Sequence, residues 1–189
     1  MNSIKEATKK INSLKGKSAF EKMLGVATIL TELLEKHGVR PIIVGGLAVE
    51  IYTRSDYTTV DIDVVVSNGK LADDLLNQLG FIREGRHWYH EELLVSIEIP
   101  SDMLEDADED RVIELWLNDK QKVFVIGIED IILDRLRACV HWKSSSDCEW
   151  GRRMLFLHSE RLDYEYMNKV SQKDLTAGKL NNWLEEMKK

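Results

Sequence analysis

Two stretches predict the fold: residues 41–49, PIIVGGLAV, and residues 59–66, TVDIDVVV. The first is a short apolar run with β-branched residues that stops at a pair of glycines, which predicts a buried strand and then a sterically open turn. Residues 47–52 resume as a helix. The second stretch predicts another strand over residues 61–66, so a strand, a glycine turn, a helix and a strand follow one another.

Asp61 and Asp63 lie two residues apart in the predicted strand, where alternate side chains share a face. Both carboxylates therefore point the same way, while Ile62 and Val64 point into the core. Two adjacent carboxylates repel each other unless a cation lies between them. Magnesium suits this position because it prefers oxygen ligands and binds through one or two carboxylates plus substrate phosphates. The alternative is an edge strand that exposes both acids to solvent.

Gly45 and Gly46 separate the first strand from its helix. Exposed backbone N–H groups and the helix dipole favour an anion there, and the missing side chains allow a triphosphate to approach closely. A tight turn without a ligand accounts for the two glycines equally well.

The combination of residues 44–49 with residues 59–64 resembles the hG[GS]…DhDh signature of the DNA polymerase β-like nucleotidyltransferase superfamily. The resemblance is strongest to minimal bacterial members, which include the nucleotidyltransferase toxins of abortive-infection systems. It implies that the two glycines hold nucleotide phosphates. It also implies that the two aspartates hold two magnesium ions, together with a third acid on a later strand.

The resemblance covers residues 41–99 well, and residues 129–136 and 147–150 more loosely. Residues 47–60 form a longer gap between the two motifs than is usual. Tyr57 stands where many relatives have an arginine.

Glu98 is the predicted third acid. On the predicted strand 93–99, one face carries Val95, Ile97 and Ile99, and the other carries Leu94, Ser96 and Glu98. An acid inside so apolar a run is costly without a partner, and magnesium would be that partner. An exposed acid at the strand end, just before Pro100, is the alternative, and Glu92 is a weaker substitute.

Arg135 lies on a predicted helix after the sheet, where relatives often place a basic residue that faces the triphosphate. The nearby acids Glu129, Asp130 and Asp134 could equally hold it in an exposed ion pair. Both interpretations stay open at this point.

The pattern predicts an α/β (α+β) fold, a nucleotidyltransferase-type mixed sheet flanked by helices. Residues 1–127 form the predicted core with its N-terminal helices, and residues 128–189 form a helical C-terminal region packed on it. Further predicted elements are helices at 1–15, 18–38 and 70–79, strands at 111–117 and 123–126, and C-terminal helices at 129–142, 146–158, 163–171 and 175–187.

Composition excludes several classes of protein. The chain has 189 residues, 43% hydrophobic and 31% charged, which excludes an intrinsically disordered chain. The net charge of −7 argues against broad nucleic-acid binding. No apolar run reaches the roughly 20 residues that span a bilayer, so we expect a cytoplasmic protein without membrane contact.

Three further features receive structural interpretations. Cys139 and Cys148 lack zinc-site spacing and are expected as reduced thiols rather than a disulfide. Trp142 and Trp150 are expected in the core. The acidic run at residues 104–110 lacks the glycine and distal glutamate of an EF-hand and is expected to be a solvated loop.

The predicted reaction is the transfer of a nucleoside monophosphate from a nucleoside triphosphate to an acceptor hydroxyl or phosphate, with two magnesium ions and release of pyrophosphate. The acceptor could be tRNA, a protein or a small molecule. The alternatives are a catalytically weak binding or regulatory module of the toxin–antitoxin type, and a phosphodiesterase with the same metal cluster.

Overall fold

The computed structural model describes residues 2–188. Its centre is a mixed sheet with the strand order β3-β4-β5-β2-β1-β7-β6. The strands are β1 (Ile42–Val44), β2 (Asp61–Val65), β3 (Ile82–Glu84), β4 (His87–His90), β5 (Val95–Glu98), β6 (Ile113–Asn118) and β7 (Gln121–Val125). β1 runs parallel to β7 and β2 runs parallel to β5, while the other neighbours are antiparallel.

Helices flank this sheet and make up the C-terminal part of the chain. They are α1 (Asn2–Ser13), α2 (Ala19–Glu35), α3 (Gly45–Tyr52), α4 (Gly69–Gln78), α5 (Ile128–His141), α6 (Ser145–Leu157), α7 (Tyr164–Lys173) and α8 (Ala177–Met187). The predicted α/β fold with a mixed sheet and a helical C-terminal region is confirmed. The division after residue 127 stays a prediction, and its outer bounds, residues 1 and 189, lie outside the described residues.

The core forms where α2 covers the sheet. Ser18 begins this helix with a capping box, in which its hydroxyl accepts the N–H of Glu21 and the Glu21 carboxylate accepts the N–H of Ser18. α2 packs on β7, β2 and β5. Ile62 of β2 and Ile97 of β5 are fully buried, so the alternate positions on these two strands face away from the core.

The hairpin of β3 and β4 has no counterpart among the predicted strands. All three residues of β3 are exposed, and the strand is held by its antiparallel pairing with β4 rather than by an apolar face. Its turn consists of Gly85 and Arg86, because Glu84 pairs with His87. Gly85 has a φ of +64°, the left-handed conformation that such a short turn requires.

Two expectations for the C-terminal helices are wrong. Cys139 and Cys148 form a disulfide, because the turn between α5 and α6 brings their Cα atoms to 4.6 Å. Trp142 is 81% exposed, because α5 ends at His141 and the following residue already belongs to that turn. Trp150 is partly buried and packs against the core as expected.

Within residues 2–188, no helix combines the length and the apolar character that a bilayer crossing requires.

Candidate active site

Asp61, Asp63 and Glu98 meet on one face of the sheet. β2 and β5 are parallel neighbours, and Asp63 pairs directly with Glu98 while Asp61 pairs with Ser96. Paired residues on adjacent strands point to the same side, about 4.8 Å apart along the hydrogen-bonding direction. The structure therefore brings together the three acids that the sequence singles out.

Thr59, which was not among the predicted site residues, holds Asp61. The Thr59 hydroxyl donates to Asp61 Oδ1 at 2.7 Å, and the Thr59 N–H donates to Glu50 Oε2 at 3.1 Å. Glu50 is itself buried, at 3% exposure. This chain of contacts ties the strand that carries Asp61 to α3.

Asp63 lies in an environment that disfavours its charged form. Burial, and then the negative charges of Asp61 and Glu98, raise the pKa of Asp63 to about 6, although the Gly46 N–H and the charge of Arg135 act in the opposite direction. The shift indicates that the acids are close enough to repel each other. A cation between them would relieve that repulsion.

Gly45 fits against Asp63 so closely that no side chain could replace it. A Cβ on Gly45 would lie 2.0 Å from Asp63 Oδ2, and its φ of +58° is left-handed. A Cβ on Gly46 would lie 2.6 Å from the Thr59 hydroxyl. The close approach of α3 to Asp63 and to Thr59 therefore requires both glycines.

Glu98 is held by the β3–β4 hairpin. Arg86 Nε lies 3.0 Å from Glu98 Oε1, and His87 Nδ1 lies 3.5 Å from Oε2. The Glu98 side chain is only 12% exposed, so it is not the solvated strand-end acid of the alternative interpretation. Its role as the third acid of the site stays a prediction. Glu92, the weaker candidate, lies in the turn before β5 and pairs with Lys15 at 2.7 Å.

A cavity of about 740 Å³ opens beside Gly45, Asp63 and Glu98. Its size is within the range of small-molecule and cofactor sites. Part of the cavity wall is apolar. Leu104 and Ala107 line it from the loop after β5, and Ile131, Ala138 and the exposed Trp142 line it from α5 and its end. The acidic run at 104–110 is thus only partly the solvated loop that we expected.

Arg135 lies on the side of α5 that packs against α6. Its Nη1 is 2.8 Å from Asp147 Oδ1 and its Nη2 is 3.4 Å from Asp134 Oδ2, with the side chain 18% exposed. Arg135 is thus in ion pairs with Asp134, which the sequence indicated, and with Asp147, which it did not. Its charge still reaches Asp63 and lowers the pKa of that carboxyl.

The sequence matches a family model described as a nucleotidyltransferase of unknown function, DUF6036, over residues 21–187. The chain belongs to the DUF6036 family. This membership supports the nucleotidyltransferase superfamily that residues 44–49 and 59–64 suggest. Kinship with the toxins of abortive-infection systems stays a prediction.

Two solved structures have the same fold as this DUF6036 protein. An antigenic nucleotidyltransferase-like protein from Paracoccidioides brasiliensis is 16% identical, with a TM-score of 0.57 over 86% of this chain and 92% of that chain. The antibiotic-resistance factor ANT(2'')-Ia is 14% identical, with a TM-score of 0.51 over 76% of this chain and 86% of that chain. The comparison with curated proteins gave no match.

The acids of the DUF6036 protein fit magnesium by their chemistry. As they stand, the His, Cys, Asp and Glu side chains of residues 2–188 form no group of three positioned to hold a metal ion. Each acid has another partner: Thr59 for Asp61, the Gly46 N–H for Asp63, and Arg86 for Glu98. Asp63 and Glu98 are paired across adjacent strands, so their side chains lie on the same face of the sheet.

Sequence reasoning missed Thr59, Arg86 and His87. Thr59 lies two residues before Asp61, so its proximity was readable from strand alternation. Arg86 and His87 reach Glu98 only through the β3–β4 pairing, and the exposed β3 gives no apolar pattern that predicts such a hairpin.

Proposed function

We propose that this DUF6036 protein is a metal-dependent nucleotidyltransferase that moves a nucleoside monophosphate from a nucleoside triphosphate to an acceptor hydroxyl or phosphate and releases pyrophosphate. The observation that carries the proposal is the direct pairing of Asp63 with Glu98 across β2 and β5, with Asp61 on the same face. Family membership supports a nucleotidyltransferase fold but leaves the reaction open.

The three acids have distinct roles in this proposal. Asp61 and Asp63 would each hold both magnesium ions, and Glu98 would hold the ion nearer the acceptor. When bound, the two ions lower the pKa of the attacking hydroxyl and stabilise the negative charge on the attacking and leaving oxygens. The raised pKa of Asp63, which burial and then the charges of Asp61 and Glu98 cause, supports this assignment, because a bound cation would stabilise the charged carboxylate there.

The start of α3 would receive the triphosphate. Gly45 and Gly46 would offer their backbone N–H groups and the positive end of the helix dipole to an anion, although α3 is only eight residues long and the Gly46 N–H faces Asp63 in the metal-free protein. Arg135 would contribute positive charge from behind Asp63 rather than by direct contact, since Asp147 already holds its guanidinium.

The acceptor would enter through the 740 Å³ cavity between the core, residues 1–127, and the helical region, residues 128–189. tRNA, a protein and a small molecule remain the candidate acceptors.

We propose a cytoplasmic location. A disulfide is uncommon in the cytoplasm, so the Cys139–Cys148 bond counts against this location.

The test is transfer of the α-phosphate. The protein is incubated with Mg²⁺, each of the four α-³²P-labelled ribonucleoside triphosphates in turn, and cell extract divided into RNA, protein and small-molecule fractions. We expect label in one fraction, release of pyrophosphate, and loss of both in the double variant Asp61→Asn/Asp63→Asn.

Asp119→Asn, in the exposed turn between β6 and β7, is the matched control and should transfer label at the normal rate. Label transfer that survives the double variant would overturn the proposed site. Triphosphate binding without transfer to any fraction would favour the binding or regulatory module, and turnover without pyrophosphate would favour a phosphodiesterase.

A further inference from the structure

Arg86 forms an ion pair with Glu98, the acid proposed as the third metal ligand. Its Nε lies 3.0 Å from Glu98 Oε1. His87, the next residue, approaches the other carboxylate oxygen, so the hairpin contacts both oxygens of the third acid.

The two partners of this ion pair differ in exposure to solvent. The Glu98 side chain is 12% exposed and stands on a central strand, whereas the Arg86 side chain is 77% exposed and stands in a two-residue turn. Nothing lies within 4 Å of the space that a Cβ on the adjacent Gly85 would fill, so the turn is open on that side. Arg86 can therefore leave Glu98 without disturbing packed side chains, and an ion pair with one exposed partner is weak.

Other arginines near the site are already engaged. Arg135 binds Asp147, and Arg137 binds Asp174 Oδ2 at 2.6 Å through its Nε and the carbonyl of Asp106 through its Nη2. Arg86 is thus a cation at the candidate site that is both solvent-accessible and held by a single acid. A guanidinium released there would lie beside the phosphates and could bind them through two parallel hydrogen bonds.

We propose that Arg86 is an exchangeable cation of the site: it binds Glu98 in the metal-free protein and moves to the triphosphate when metal binds Glu98. The inference rests on the proposed function and adds a regulatory step to it. Arg86 balances the charge of Glu98 before the metal binds, and the metal balances it afterwards. The anionic triphosphate attracts Arg86 away from Glu98, which leaves the carboxylate free to bind the metal.

The exchange predicts that the variant Arg86→Ala changes the affinity for Mn²⁺ and the affinity for triphosphate in opposite directions. In Arg86→Ala, Mn²⁺ alone should bind about two- to fivefold more tightly, because the competing guanidinium is gone and a weak ion pair corresponds to that factor. In the same variant, magnesium-saturated inorganic triphosphate should bind more weakly by a similar factor, because a phosphate ligand is gone. Mn²⁺ affinity is followed by electron paramagnetic resonance, and triphosphate affinity by calorimetry.

Two variants serve as controls on the same hairpin. Arg86→Lys keeps the cation and should lie close to the wild-type protein in both titrations. Arg83→Ala removes an arginine that pairs with Asp73 rather than Glu98 and whose Nε donates to the Gly85 carbonyl. It tests whether loss of support for the turn alone changes binding, and it should leave both affinities unchanged.

Two results would overturn the exchange. The first is unchanged affinity for Mn²⁺ or for triphosphate in Arg86→Ala, and the second is a change of the same sign in both titrations, which a merely structural role would give. If Asp61→Asn/Asp63→Asn abolishes binding while Arg86→Ala changes nothing, the exchange fails and the proposed function stands. If the wild-type protein binds neither probe, both fail.

Discussion

Asp63 is a half-buried carboxyl that lies beside two other acids of the proposed site. Burial and two neighbouring carboxylates raise its pKa from 3.8 to about 6. A carboxyl with a raised pKa in the folded chain stabilises that chain fully only below its unfolded pKa, and this stability is lost as the pH rises through about 6. At neutral pH the metal-free protein therefore carries an unfavourable charge at this position.

We predict that Asp63→Asn stabilises the metal-free protein at pH 8. The amide keeps an oxygen for the Gly46 N–H and removes the repelling charge. With allowance for solvent screening at this partly exposed side chain, the gain should be on the order of 1 kcal/mol, or about 2–4 °C in melting temperature. Thermal unfolding in chelator at pH 8 and at pH 4 measures it.

The gain should disappear at pH 4, where Asp63 is protonated in the folded chain. Asp119→Asn, in the exposed β6–β7 turn, should change neither melting temperature. A destabilised Asp63→Asn at pH 8 would mean that the carboxylate is compensated in the folded protein and that repulsion among the three acids is absent.

Gly45 allows a second prediction at the scale of one residue. Gly45→Ala adds a Cβ at a φ of +58° and within 2.0 Å of Asp63 Oδ2, so it should destabilise the protein by about 2 kcal/mol or more. Gly178→Ala, in α8 with nothing within 4 Å of the added Cβ, should instead be neutral or stabilising by up to about 1 kcal/mol. Chemical denaturation of the two variants compares them directly.

Equal stability of the two alanine variants would contradict the close approach of Gly45 to Asp63.

At the scale of elements, α5 and α6 are joined by the Cys139–Cys148 disulfide and by the Arg135–Asp147 ion pair. Arg135 is 18% exposed, and its buried Nε has no hydrogen-bond partner among the described residues. Asp134 and Asp147 together compensate this largely buried charge, and Asp147 alone accepts a hydrogen bond from it. Through Arg135, the α5–α6 pair also influences Asp63.

We predict that Asp147→Ala destabilises the protein by about 1–3 kcal/mol, because it leaves the largely buried guanidinium without its hydrogen-bonded carboxylate. Glu149→Ala removes the acid of an exposed ion pair with Arg153 on the same helix, and it should cost less than about 0.5 kcal/mol. Urea unfolding at constant pH gives both values. Similar losses in the two variants would show that Arg135 does not depend on Asp147.

At the scale of the whole molecule, the fold was predictable where the pattern of side chains is local. The apolar run before Gly45 and the alternation around Ile62 determine β1 and β2, and the capping box at Ser18 marks the start of α2. Glu98 was accessible to the same reasoning, because the apolar alternation of Val95 and Ile97 leaves it on the opposite face.

Features that depend on contacts distant in sequence were not predictable in this way. Arg86 meets Glu98 only because the exposed β3 pairs with β4. Cys139 meets Cys148 only because of the turn after His141, and the same turn exposes Trp142. Arg135 finds Asp147 across two helices whose relative position is absent from the helical periodicity of either.

The central claim is that Asp61, Asp63 and Glu98 together hold the metal ions of a nucleotidyltransferase. The most direct test is anomalous diffraction from crystals grown with Mn²⁺ and the α,β-methylene analogue of the triphosphate that supports label transfer. The account predicts two manganese peaks bound by Asp61 and Asp63, one of them also bound by Glu98, with the analogue's phosphates at Gly45 and Gly46. Manganese and nucleotide bound elsewhere, with Glu98 still paired to Arg86, would contradict it.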